Sequence, residues 1–130
     1  MNNRSLLVWA CSAGLTAVVL GAFGAHGLKG RLAPEALASF ETGVRYQFIH
    51  ALALFAAAWL AERTGTRLPL VAGALWCAGM VLFSGSIYLL ATRPLFGIEG
   101  WRWLGPITPI GGLCLIAGWA TLLVAVWRDR

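Results

Sequence analysis

At 130 residues, 59% hydrophobic and only 12% charged, the chain carries more apolar surface than a water-soluble domain of its size can hide, so lipid must cover part of it. The formal net charge is +5, but the basic residues flank apolar segments, the usual pattern for phospholipid headgroups, and no basic run of the kind that binds nucleic acid occurs. The length allows one integral membrane domain, residues 1–130, with no separate soluble module.

Four apolar segments have the length of a bilayer crossing: residues 6–25, 44–61, 68–91 and 107–126. A spanning helix needs roughly 20 mainly apolar residues, because each rises about 1.5 Å through a core about 30 Å thick. The first follows a short basic start, MNNR, and ends in GAFGAHG. It is longer than a signal-peptide core, and three more spans follow, so a retained helix is expected. Leu28 to Thr42 is a polar interruption with Pro34 suited to a first helical turn. Leu37, Phe40 and Val44 recur there at helical spacing, which predicts a short interfacial helix. The second span begins near Val44. A short link, Glu62 to Arg67, makes spans two and three antiparallel neighbours. The third span begins behind Pro69 and is expected to fade at Thr92-Arg93-Pro94. Trp101 and Trp103 in the following loop suit an interfacial belt. The fourth span follows Pro106 and Pro109. The expected fold is therefore all-α, a four-helix transmembrane bundle with a short interfacial helix between helices 1 and 2.

Small residues spaced by four predict close packing: Ala13, Ala17, Gly21 and Ala25; Ala53, Ala57 and Ala61; Ala117, Thr121 and Ala125. Cys11, Cys77 and Cys114 show no metal-binding spacing and read as small apolar residues. Four spans put both termini on one side. That side carries Arg4, Arg63, Arg67, Arg128 and Arg130; the other carries Lys29, Arg31, Arg45, Arg93 and Arg102. The count is level, and pairing of Arg45 with Glu41 would tip it toward cytoplasmic termini.

The polar residues concentrate on the side opposite the termini. His26 ends helix 1. Glu41, Arg45, Tyr46, Gln47 and His50 enter helix 2. Ser84, Ser86 and Tyr88 lie toward the matching end of helix 3, and Thr108 opens helix 4. Intramembrane polar and ionisable residues are expensive, which makes this set the candidate site. Its bland alternative is a hydrogen-bonded plug that holds the helices in register. Glu41 and Arg45 have the favourable order and spacing of a helical ion pair. His26 and His50, at comparable expected depth, raise haem or another metal, proton transfer or anion binding, but no third ligand accompanies them. Ser84 and Ser86 sit in SGS, which lacks the pattern of a nucleophile elbow.

The blocks GAFGAHGLKG, FETGVRYQFIHALAL, SGSIYLL and GPITPIGGLCLIAGW resemble the domain-of-unknown-function family 423, small bacterial inner-membrane proteins of the YgdD-like group related to a eukaryotic transmembrane protein. The likeness runs from helix 1 to helix 4. It implies a four-span inner-membrane protein and supplies no catalytic residues. Its motif positions fall on Gly24, His26, Gly27, Gly43, Tyr46, Gln47, His50, Ser84, Gly85, Pro106, Pro109 and Gly111. The expected activity is non-enzymatic, with no catalytic residue, metal or cofactor: an accessory or structural role, binding membrane lipids, a membrane protein partner or a second copy of the chain. The alternatives are an oligomeric transporter or channel component using Arg45 and His50, and a haem or quinone site in a redox complex.

Overall fold

A computed structural model describes residues 1–129. Four long helices account for most of it: α1 (Asn3–Ala22), α2 (Pro34–Thr64), α3 (Leu68–Phe96) and α4 (Leu104–Arg128). All four are long and apolar enough to cross a membrane. Consecutive helices are antiparallel, so α1 and α4 bring the two termini to the same end. They pack in chain order, α1 on α2, α2 on α3 and α3 on α4. The central pair α2 and α3 supplies most of the buried surface, while α1 and α4 show lipid a larger share of their length.

Helix α1 starts earlier than its apolar run because the Asn2 side chain caps it, accepting from Ser5 N at 2.8 Å. It then runs on as a π-helical turn over Phe23–Leu28. The Phe23 ring lies over Gly27, where a Cβ would come within 2.5 Å of it. A side chain at residue 27 would clash in this wider turn.

The segment expected as a short interfacial helix is helical but not a separate element. It forms the first turns of α2, a single helix of 31 residues. Nothing after Pro34 breaks the backbone, since Gly43 sits inside the helix under the Tyr88 ring. At about 1.5 Å per residue the helix is roughly 46 Å long, so one end must reach beyond a hydrocarbon core of about 30 Å. Leu37, Phe40 and Val44 face protein rather than lipid, packing with Leu28, Leu32 and Ala91. Two other boundaries also lie further out than expected. Helix α3 continues through Pro94 to Phe96, closing at Gly97 with φ 64°, and α4 begins at Leu104 and carries Pro109 within it. Pro94 lies in the last turn of α3, and the Leu90 carbonyl that its missing N–H leaves free accepts from Arg93 Nε at 3.2 Å. Trp101 and Trp103 stack at 5.6 Å in the connecting loop, both exposed.

The packing stripe of α4 is not the one its alanines suggest. Ala117 is exposed. The buried face runs through Gly111, Leu115, Gly118 and Ala125. At Gly111 the α4 backbone lies against the α3 backbone: an added Cβ would fall 2.7 Å from the Leu82 carbonyl carbon and the Phe83 Cα. The stripes on α1 and α2 fit the expectation better. Ala13 and Ala17, and Ala53, Ala57 and Ala61, are buried, while Ala25 is exposed. Of the cysteines only Cys77 lies in the core; Cys11 is exposed, so it does not pack as a core residue.

Gly111→Ala should force two backbones apart and lower stability in detergent by about 1–3 kcal/mol, the range for overpacking. Gly85→Ala, where the methyl meets nothing within 4 Å, is the control and should be neutral or slightly stabilising. Equal melting temperatures for the two variants would refute the close α3–α4 contact. Reporter fusions after Met1 and after Asp129 should read the same compartment; opposite compartments would rule out four crossings.

A polar layer that ties the four helices

Five buried polar side chains occur among the described residues: Gln47, His50, Ser84, Ser86 and Thr92. All five are hydrogen-bonded, and four of them bond to another helix.

Gln47 makes the widest connection. Its Nε2 donates to the Ala13 carbonyl at 2.9 Å and to Thr16 Oγ1 at 2.7 Å, both on α1. Its Oε1 accepts from the Tyr88 hydroxyl of α3 at 2.7 Å. Thr16 supplies the lone pair because its own proton points back to the Ser12 carbonyl at 2.8 Å. One amide thus joins three helices with both N–H groups and its oxygen used.

Ser84 and Ser86, two residues apart on α3, reach different neighbouring helices. Ser84 Oγ donates to the Gly43 carbonyl at 2.7 Å, linking α3 to α2. Ser86 Oγ meets Thr108 Oγ1 at 2.6 Å, linking α3 to α4. Thr92 bonds within its own helix, to the Tyr88 carbonyl.

His50 lies near the middle of α2, closer to mid-membrane than to the face opposite the termini. Its Nδ1 is 2.7 Å from the Tyr46 carbonyl, which can only accept. Its Nε2 is 3.0 Å from Trp119 Nε1, which can only donate. These partners assign a neutral imidazole with its proton on Nδ1. The ring is boxed by aromatics: Trp76 at 5.9 Å and Trp119 at 6.0 Å, both edge-on. Tyr46, half exposed, stacks along it at 6.2 Å. Trp76 in turn donates to the Leu115 carbonyl at 3.2 Å, a further α3–α4 bond. A ligand for Nε2 would first have to displace the Trp119 N–H.

The remaining candidates lie outside this layer. His26 is exposed on the π-helical turn. Contacts of Gly14 with Ala51, Gly21 with Val44 and Gly24 with Phe40 fix the α1–α2 register. His50 therefore sits level with Gly14, and His26 lies twelve residues further on, roughly 18 Å along the helix. The two histidines do not share a site: antiparallel chains level only residues whose numbers sum to about the same value, and theirs sum to a larger one. Glu41 and Arg45 are both exposed and form no ion pair within 4.0 Å among the described residues. With Arg45 outside the bundle the basic residues stay level on the two faces. Arg45 and His50 are five positions apart, so they point to different sides of α2 and do not line one path.

Thr16, Trp76 and Trp119 take part in the layer without having been singled out from the sequence. An indole N–H inside an apolar span has to find an acceptor, which was the available signal for the two tryptophans. Thr16, a common helix hydroxyl that usually bonds its own backbone, gave none.

The model for the family described as "Protein of unknown function (DUF423)" matches residues 20–112. The chain belongs to this family. The matched segment holds Gln47, His50, Ser84, Ser86, Tyr88 and Thr108, whereas Thr16 and Trp119 fall outside it. Among similar proteins, the UPF0382 membrane protein YwdK of Bacillus subtilis is 46% identical over 112 residues, 85% of this chain and 86% of its own length. The UPF0382 inner membrane protein YgdD of Escherichia coli K12 is 36% identical over 128 residues, 98% of this chain and 93% of its own. A UPF0382 membrane protein of Staphylococcus haemolyticus is 40% identical over 114 residues, 88% of each chain. No solved structure matches. This is a four-span membrane protein of a family whose function is not established.

Removing one partner of the Gln47–Tyr88 bond should cost more than removing both. Gln47→Leu takes from the half-buried Tyr88 hydroxyl its 2.7 Å acceptor and should destabilise by about 1–3 kcal/mol. Adding Tyr88→Phe should recover part of that loss. A double variant whose loss equals the sum of the singles would show that the two groups do not interact.

Proposed function

We propose that the protein acts without catalysis, as an accessory or structural component that holds a lipid or another membrane protein against its outer surface. The observation that carries this reading is a lateral groove between α1 and α2, about 390 Å³ in volume. Ala17, Gly21, Phe40, Val44 and Phe48 line it, and Glu41 and Arg45 stand at its border. The small residues of α1 hold the floor low, so an acyl chain or an apolar helix fits without rearrangement. Arg45, exposed and without an ion pair among the described residues, offers a guanidinium to a phosphate or carboxylate at the end of such a guest.

The polar layer supports the same reading from the other side. Its buried side chains use their hydrogen bonds on neighbouring helices or their own backbone, which suits a scaffold better than a reaction centre. The surfaces left for interaction are lateral. Inner-membrane residence with cytoplasmic termini belongs to this reading, and the terminal reporter fusions decide the orientation.

Extraction of native membranes into polymer-bounded discs, followed by mass spectrometry of lipids and proteins, tests the proposal. One lipid class or one membrane protein should be enriched over the bulk membrane. Gly21→Leu, which fills the groove, should reduce that enrichment. Discs whose lipid and protein content matches the bulk membrane would overturn the reading.

A further inference from the structure

A second cavity, about 430 Å³, opens on the face opposite the termini between the start of α2, the end of α3 and the start of α4. Glu35, Ser39 and Thr42 form its α2 side. At i, i+4 and i+7 they share one face of that helix. The Ser39 hydroxyl donates to the Glu35 carbonyl at 2.9 Å, and the Thr42 hydroxyl to the Ala38 carbonyl at 3.0 Å. Their protons are thus turned into the helix, and what remains toward the cavity is oxygen lone pairs beside the Glu35 carboxylate. This wall accepts hydrogen bonds and has none to give.

The α3 side is the opposite. Arg93, half-buried, donates through Nε to the Leu90 carbonyl at 3.2 Å. That bond steadies the guanidinium, and none of the described residues accepts from its two Nη groups. Glu35 and Arg93 form no ion pair within 4.0 Å, so neither charge is consumed by the other. Ile87, Leu90 and Ala91 make an apolar flank between the two walls.

We propose that this cavity binds the headgroup of an aminophospholipid of the phosphatidylethanolamine type, its ammonium against Glu35, Ser39 and Thr42 and its phosphate against Arg93. A primary ammonium carries three N–H donors, which match a wall of acceptors. A choline headgroup carries none, and a glycerol headgroup lacks the cation. The cavity lies at the helix ends, where headgroups sit, and its apolar flank takes the glycerol and first acyl methylenes. That favours a lipid over a free zwitterion. The inference rests on the membrane-partner reading above but uses a different surface from the α1–α2 groove.

Native mass spectrometry of the purified full chain, titrated with phosphatidylethanolamine, phosphatidylcholine and phosphatidylglycerol, tests it. Phosphatidylethanolamine should be retained about tenfold more tightly than phosphatidylcholine, the difference expected for one charge-assisted hydrogen-bonding group. Glu35→Gln should abolish that preference while binding phosphatidylglycerol no more weakly. Arg93→Gln should weaken both phosphatidylethanolamine and phosphatidylglycerol. Equal retention of the ethanolamine and choline lipids by the unaltered protein, or variants that bind as it does, would overturn the proposal. Soluble glycerophosphoethanolamine competing as well as the lipid would overturn the assignment to a lipid. If headgroup selectivity is absent while native discs still retain one enriched component, only this inference falls. If nothing is retained, the broader reading falls with it.

Discussion

Inside hydrocarbon a polar group has no water to turn to, and the placement of α1 to α4 follows from where the buried ones find partners. Gln47 shows the constraint at its tightest. Its amide reaches a carbonyl and a hydroxyl on α1 and a phenol on α3. Sliding α2 by one residue would turn that amide away from all three. The same holds for Ser84 on the Gly43 carbonyl and for Trp119 on His50. Each tie is modest, since interhelical hydrogen bonds in membranes average about 0.6 kcal/mol. Their larger effect is to select one register among several apolar packings of similar energy.

The ties work only because the helices approach closely, and small residues permit that. Gly111 brings the α4 backbone onto Leu82 and Phe83 of α3. One turn away, Ser86 and Thr108 are then near enough for their short side chains to meet. Gly43 sits under the Tyr88 ring, and its uncovered carbonyl takes the Ser84 proton. Packing and hydrogen bonding therefore depend on the same few positions.

With the polar side chains of this layer occupied in this way, the available chemistry moves to the periphery. Glu41 and Arg45 border a lateral groove, and Glu35 and Arg93 face one another across a cavity at the helix ends. Both places combine apolar lining with charge, which is the composition of a phospholipid. The histidines, which drew attention as the only two in the chain, serve differently. His50 is an interior hydrogen-bonding post, and His26 lies exposed on a π-helical turn.

Four crossings, antiparallel order and shared placement of the termini were legible in the sequence, because each depends only on hydropathy, segment length and short links. Much of the polar layer was legible too. Gln47, His50, Ser84, Ser86, Tyr88 and Thr108 are conspicuous in apolar surroundings and had to be satisfied somewhere. Which partners they took was decided by the tertiary structure. The α1–α2 register set His50 level with Gly14 rather than with the end of α1, and the rotation of α2 left Glu41 and Arg45 outside while turning Gln47 inward. Burial of Phe40 against Leu28 and Ala91 merged an expected surface helix into α2. The glycine face of α4, not its alanines, met α3, because backbone contact gains more from the absence of a side chain than from a small one. Apolar pattern along one chain records how much surface must leave water. It does not record rotation and sliding between helices, which are settled only when the side chains of neighbouring helices meet.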